Sequence, residues 1–364
     1  MNRGINHGRG AFAAAAAAAL ALAFAATTAA ADTKRTPQLE QLLKDAQAEG
    51  QINVMWGISL GQEQGARDIE NALNKTFGLK IKVNYTPGPS MPQLATRTIQ
   101  EVKAGQKPST DLYVGVEVSI PAMITNDVLL PVKWSEYFPE ITPEMQTKGG
   151  HAVHIVTLFN GVTYNTQFVK KNEVPKMIAD MFNPKWKKKI ASTPYAAAFD
   201  RLALARGYDV MEPIVKKTAE WTGGLIRCGE YERLASGEFV MLFLDCGRVD
   251  DALAVEKGGP LDQTLLGDAL ATTLWYFAVP KTSPSPNLAK LFAGFVATKA
   301  GQDIIGKYGN ATSHLVPGTE NYKVAKEYEA KGMKILSLTA DDIQPREADL
   351  AKYKKAFQDM LVKK

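Results

Sequence analysis

Cysteine is almost missing from this 364-residue chain: Cys228 and Cys246 are the only two, beside four histidines. Two cysteines do not make a small disulfide scaffold. Beyond position 31 the histidines are His151, His154 and His314. His151 and His154 share a face only in a helix, and the stretch leads into a strand pattern. With no cysteine or carboxylate cluster to complete a tetrahedral set, no metal site is expected. A surplus of one charge is missing too. Lys and Arg number 43 against 38 Asp and Glu, mixed along the chain, which excludes a nucleic-acid footprint. No GxxxxGK[ST] phosphate loop is present, so the chain holds no ATPase of that kind.

What is present begins with a leader. Arg3 and Arg9 precede an apolar run from Ala11 to Ala26, and Ala29-Ala30-Ala31 stand before Asp32. A basic start, an apolar middle and a small-residue cleavage site make residues 1–31 a secretory signal peptide. The run is shorter than the roughly 20 residues that cross a bilayer, and no later segment reaches that length. The 333 residues left after cleavage carry a net charge of +3 and exceed the size at which one core stops growing, roughly 250–300 residues. An exported protein of two domains is expected.

The pattern reads as α/β. Thr36 caps a helix that Gly50 ends, with Leu39, Leu42, Leu43 and Ala46 on one face, and Ile52–Trp56 reads as a strand. A helix over Glu63–Phe77 follows, then a strand to Tyr85, a helix over Pro92–Ala104 and a strand at Asp111–Gly115. This alternation implies a parallel sheet with helices on its faces. A second set starts near His154. It has extended segments at Ile155–Phe159 and Gly161–Tyr164, helix-forming Phe168–Phe182, a strand at Lys189–Ser192 and a helix over Ala196–Ala205. Strands at Glu238–Leu244 and Thr272–Val279 follow. The remainder is mostly helical, ending with Glu347–Val362.

Several segments in this order resemble the periplasmic solute-binding proteins of ABC importers, in the branch that includes ferric-iron-binding proteins. They are Val54–Gly57, Val162-Thr163-Tyr164-Asn165-Thr166, Pro184-Lys185-Trp186 with Lys187–Ala191, Ala235-Ser236-Gly237-Glu238, and Ser283–Phe292 with Gly301-Gln302. Together they run from Val54 to Gln302, most of the chain beyond the leader. The resemblance implies the type II two-lobe fold, with ligand in a cleft between lobes joined by crossing strands. The amino-terminal lobe would be discontinuous, holding 32–157 and 278–364, and 158–277 would form the other. It implies a periplasmic, monomeric receptor with no cofactor. The receptor would bind a small molecule and hand it to an ABC permease and its ATPase, meeting the membrane only through that permease.

Ligands of such sheets lie beyond the carboxyl ends of the strands. That rule selects Ser59 after the first strand, Glu117 after the third, Tyr195 and Ala196 in the matching loop of the second lobe, and Tyr276 on a crossing strand. Each has a plainer reading: a turn residue, a surface carboxylate, a loop, a core aromatic. Asp245-Cys246-Gly247-Arg248 is the most informative loop. Iron-binding members of the family place adjacent tyrosines near it, and this chain has no Tyr-Tyr pair. Ferric iron wants hard oxygen donors, whereas the Arg248 guanidinium grips carboxylate or phosphate as a planar fork. Arg248 therefore points to a small anionic solute, with Asp245 in the same candidate ligand loop; the plainer reading is a surface network of Arg248 with Asp245, Asp250 or Asp251. Ferric iron, another cation or a polyamine is the alternative cargo. Cys228 and Cys246 are expected to pair in an oxidising compartment; a cysteine-dependent enzyme on this fold would need Cys246 free.

Overall fold

The computed structural model describes residues 35–57, 59–196, 198–247, 255 and 258–362. The leader, Arg248, Asp250 and Asp251 lie outside the described residues.

The opening helix, Pro37–Glu49, forms for reasons visible in its ends. Thr36 accepts a hydrogen bond from the Leu39 amide at 3.0 Å, Pro37 occupies the first turn, and Gly50 closes it at φ 71°. Its Leu39, Leu42, Leu43 and Ala46 face goes to the core. Strand β1 (Gln51–Trp56) pairs in parallel with β2 (Lys82–Pro87). Between them the helix Gln62–Phe77 buries Ala66, Ile69, Leu73 and Phe77 on one stripe. Strands β3 (Tyr113–Val116), β4 (Val153–Asn160) and β10 (Ala271–Ala278) form a second sheet, with β10 in the middle. These strands and the apolar helix Pro286–Ala297 enclose the larger core.

The second lobe is built on strands β5 (Val162–Asn165), β6 (Ile190–Ser192), β7 (Thr222–Leu225), β8 (Met241–Phe243) and β9 (Leu261–Thr264). They form one sheet in the order β7-β6-β8-β5-β9. The chain changes sheets at Gly161, between β4 and β5, and again between Thr264 and Ala271. Gly161 is required there, because a Cβ would stand 2.3 Å from the Thr264 carbonyl oxygen. Residues 158–160 and 271–277 therefore belong to the first-lobe sheet, beyond the expected boundaries.

Three further features differ from the sequence reading. Phe168–Phe182 is not a helix but two short 3-10 turns, Lys171–Glu173 and Ile178–Phe182. Pro175 lacks the amide a helix needs there and disfavours helical geometry at Val174. The helix expected from Ala196 begins only at Phe199, because Ala196 and Ala198 hold positive φ of 53° and 65°. The helix Glu347–Val362 packs mainly against the second lobe, with Leu350 and Tyr353 reaching a small cluster that includes Val118. Its Phe357 and Leu361 are buried in the second-lobe core, and Phe357 stacks on Tyr208 with ring centroids 5.2 Å apart. No helix among the described residues is long and apolar enough to cross a membrane.

Candidate ligand-binding cleft

Strand direction decides which ends face each other. Val162 is level with Phe243 and with Thr264, and Ser192 is level with Phe243. The carboxyl ends of β6, β8 and β9 therefore meet at the crossing beside Gly161. From the other lobe, β3 and β4 both run antiparallel to β10, so their carboxyl ends point to the same crossing.

Glu117 follows β3 and is fully buried. Its Oε2 accepts from the Leu274 amide at 2.9 Å, and Oε1 lies 3.2 Å from Nε of Arg201, which comes from the second-lobe helix Phe199–Arg206. The two atoms face each other without hydrogen-bond alignment, so the contact is one of charge. Arg201 Nη2 donates to Thr273 Oγ1 on β10 at 2.8 Å. Burial pushes the Glu117 carboxyl up to about 6 against the opposing pull of Arg201. Glu117 is thus engaged in an ion pair between lobes rather than held out to a ligand.

Asp245 is equally committed. Oδ1 accepts from the Gly161 and Gly247 amides, and Oδ2 from Thr163 Oγ1 and Gln263 Nε2, all at 2.8–2.9 Å. Burial raises its carboxyl, and those four donors oppose the shift. Its carbonyl accepts from Asn160 Nδ2 at 2.8 Å, and Asn160 Oδ1 accepts from Thr273 Oγ1 at 3.1 Å. One polar chain therefore runs from Glu117 through Arg201, Thr273 and Asn160 to Asp245, touching both crossings.

Tyr276 is a core residue, 2% exposed, with its ring 5.6 Å from His154. Trp275, its neighbour, faces the other first-lobe core. Ser59 begins a short 3-10 turn, Ser59–Gly61, whose Leu60 and Gly61 have positive φ. Tyr195 is 37% exposed at the mouth of the second-lobe loop. Burial raises its hydroxyl while Arg227 lowers it, which places an arginine after β7 within electrostatic reach. Ala196 is buried, in the turn that swings the chain into the helix Phe199–Arg206.

The sequence reading missed the two polar groups just before that turn. Ser192 Oγ and Thr193 Oγ1 are buried, and among the described residues neither has a hydrogen-bond partner. Buried hydroxyls are nearly always bonded, so two adjacent orphans stand out. They sit at the carboxyl end of β6, ahead of the helix Phe199–Arg206, whose Asp200 and Arg201 amides are already bonded to the Ala196 carbonyl and to Asp200 Oδ1. Arg201 and Arg227 were missed as well. The available signal was their place, one in the first turn of the helix after β6 and one just after β7.

Cys228 and Cys246 form a disulfide with Cα atoms 5.7 Å apart. It joins the ends of β7 and β8, and it removes the free thiol that a cysteine nucleophile needs. His154 and His314 are not metal ligands in this arrangement. Thr157 Oγ1 bridges them, at 3.1 Å from His154 Nε2 and 2.6 Å from His314 Nδ1. Burial lowers His154 to about 3 and His314 to about 4, so both are neutral imidazoles. Among the described residues no group of three His, Cys, Asp or Glu side chains could hold a metal ion.

Residues 69–334 match the family model of the bacterial extracellular solute-binding proteins. The major ferric iron-binding protein of Neisseria gonorrhoeae is 27% identical over 266 residues, covering 66% of this chain and 74% of that relative. Iron-bound HitA from Pseudomonas aeruginosa superposes with a TM-score of 0.66 at 16% identity, covering 84% of this chain and 99% of that one. The periplasmic binding protein AfuA from Actinobacillus pleuropneumoniae, with exogenous fructose-6-phosphate bound, gives 0.63 at 17% identity, over 86% and 98% of the two chains. With strands crossing twice between two α/β lobes and a family match over most of its length, the chain belongs to the bacterial extracellular solute-binding proteins, the receptors of ABC importers.

Proposed function

We propose that the cleft takes a small anionic solute, carrying a phosphate or carboxylate group, for delivery to an ABC permease with its partner ATPase. The observation that carries this reading is the pair of buried hydroxyls, Ser192 and Thr193, unpartnered among the described residues and ahead of the helix Phe199–Arg206. Such hydroxyls can donate to the oxygens of an anion. Arg227, just after β7, acts electrostatically on Tyr195, and Arg248 follows β8 in the sequence. The buried carboxylates Glu117, Asp245 and Asp200 are engaged: Glu117 by Arg201, Asp245 by four donors, and Asp200 by the Arg201 amide.

Ferric iron and fructose-6-phosphate are both named for relatives or structural neighbours, so the fold itself accepts either charge. The absence of a Tyr-Tyr pair argues against the iron cargo here. The protein acts by binding and release, with the leader directing it to the periplasm and the disulfide held in that oxidising compartment.

A thermal-shift panel of hexose phosphates, phosphonates, dicarboxylates, spermidine and ferric citrate tests the reading. A ligand present at 100 times its Kd stabilises the native state by about 2.7 kcal/mol. Stabilisation by an anion, reduced about tenfold or more in affinity by Thr193→Val or Arg248→Ala, is expected. A shift produced only by spermidine or iron would refute it.

A further inference from the structure

The far end of the second lobe, opposite the cleft, concentrates positive charge. Positions 166–189 hold seven lysines against two carboxylates, a net +5 that equals the net charge of the whole chain. After the leader the chain carries +3, so everything outside this segment is slightly acidic, at −2, and this segment is the asymmetry.

Backbone pairing gathers the segment onto one surface. The Asn165 amide donates to the Val240 carbonyl, and the Val240 amide donates to the Lys189 carbonyl. The outer ends of β5, β8 and β6 are thus side by side. The turn Lys171–Glu173 is tied to the turn Pro184–Trp186 by the Lys185–Glu173 ion pair at 2.7 Å. Lys217 joins from the helix Tyr208–Trp221, lying 4.7 Å from the Phe182 ring and 5.6 Å from the Trp221 ring, and Lys187 lies 5.6 Å from the same Trp221 ring.

Not every lysine here is available. Lys188 Nζ donates to the Glu220 and Thr222 carbonyls and so closes the end of that helix. Lys185 and Lys187 are paired with Glu173 and Glu220. Lys170, Lys171, Lys189 and Lys217 are exposed and form no ion pair among the described residues. Phe168, 50% exposed, precedes Lys170 and Lys171 in the chain and lies over Gly237, where a Cβ would stand 2.3 Å from the ring.

We propose that this pole is a docking surface for an anionic phospholipid membrane. The chemistry is complementary in two ways. Flexible lysines reach the phosphate and glycerol region of the headgroups, and such clusters bind anionic lipid surfaces. An exposed aromatic side chain next to lysines in the chain matches the boundary between headgroup and acyl chain. An acidic protein face would use the lysines but would leave Phe168 without an apolar partner. Because the surface lies at the opposite end of the lobe from the cleft, a receptor held this way keeps its ligand loops free.

The test is co-sedimentation of the exported full-length product with vesicles. Vesicles of 3:1 phosphatidylcholine and phosphatidylglycerol should retain it at 50 mM NaCl and release it at 500 mM, since surface charge is screened over about a Debye length. Pure phosphatidylcholine vesicles should not retain it. Charge reversal at Lys170→Glu with Lys171→Glu should weaken retention at least tenfold, and Phe168→Ser severalfold, with melting temperature and solute binding unchanged. No retention at low salt, equal retention on pure phosphatidylcholine, or indifference to charge reversal would overturn the proposal. Equal capture by poly-glutamate beads with no dependence on Phe168 would assign the pole to an acidic protein instead and would also overturn it.

Discussion

Replacing Arg201 by Met removes one side of the buried pair between the lobes and leaves the Glu117 carboxylate alone. Arg201 is 7% exposed and Glu117 is fully buried, so water does not take over the lost partner. Breaking a buried ion pair from one side costs about 3–5 kcal/mol. Arg201→Met should therefore lower stability by that amount at pH 8, read by urea unfolding through the five tryptophans. The sign of the pH dependence follows from Glu117. Its native carboxyl is raised to about 6, above its unfolded value, so it favours the native state below about pH 4.5 and loses that contribution as pH rises through 6. Without Arg201 the carboxyl rises further. The deficit of the variant should therefore shrink at pH 5, where the proton replaces the missing cation. Adding Glu117→Gln keeps an acceptor for the Leu274 amide and removes the stranded charge. The double variant should return to within about 1 kcal/mol of the parent, giving a coupling near 3 kcal/mol. Additive losses, or a deficit equal at pH 5 and pH 8, would refute an ion pair as the link between the lobes.

Removing the disulfide as Cys228→Ala with Cys246→Ala opens a loop with a sequence separation of 18 and should cost about 3 kcal/mol in urea unfolding. An unchanged midpoint would mean that the unfolded chain gains no freedom from its loss. His154, lowered by burial to about 3, should make the protein acid-labile. The neutral native imidazole contributes stability above pH 6.5, which is lost as pH falls toward 3, by roughly 5 kcal/mol at most. His154→Gln should flatten that slope in acid melts; an unaltered slope would place the lability elsewhere, in His314 or the carboxylates. Gly161→Ala should be strongly destabilising, because its Cβ meets a backbone oxygen that cannot rotate away. Wild-type melting in that variant would contradict the tight crossing.

Local pattern is enough for the first αβ unit. Thr36, Pro37 and Gly50 mark their helix without tertiary help, and the apolar stripe of Ala66, Ile69, Leu73 and Phe77 is complete within its own helix. Where pattern fails, distant partners decide the outcome. The stretch after Ala205 carries no clear signal in the sequence, yet Tyr208–Trp221 is a helix with Pro213 inside it, held by packing against Phe357. Glu117 reads as a ligand in sequence because its partner, Arg201, comes from the other lobe. Asp245 reads as available because Gly161, Thr163 and Gln263 converge on it only in the folded hinge. The orphaned hydroxyls of Ser192 and Thr193 leave no trace at all, since lack of a partner is a property of three dimensions.

The position of Glu347–Val362 has a consequence for the order in which the molecule can be completed. Phe357 and Leu361 fill the second-lobe core, so that lobe stays unfinished until Leu361 has emerged from the ribosome or the export channel. The first lobe, with β10 and the helix Pro286–Ala297 in hand, can close before this point. A chain that withholds its final core residues in this way is slow to lock while it is being threaded. Shortening it by one helix would leave a receptor with one finished half.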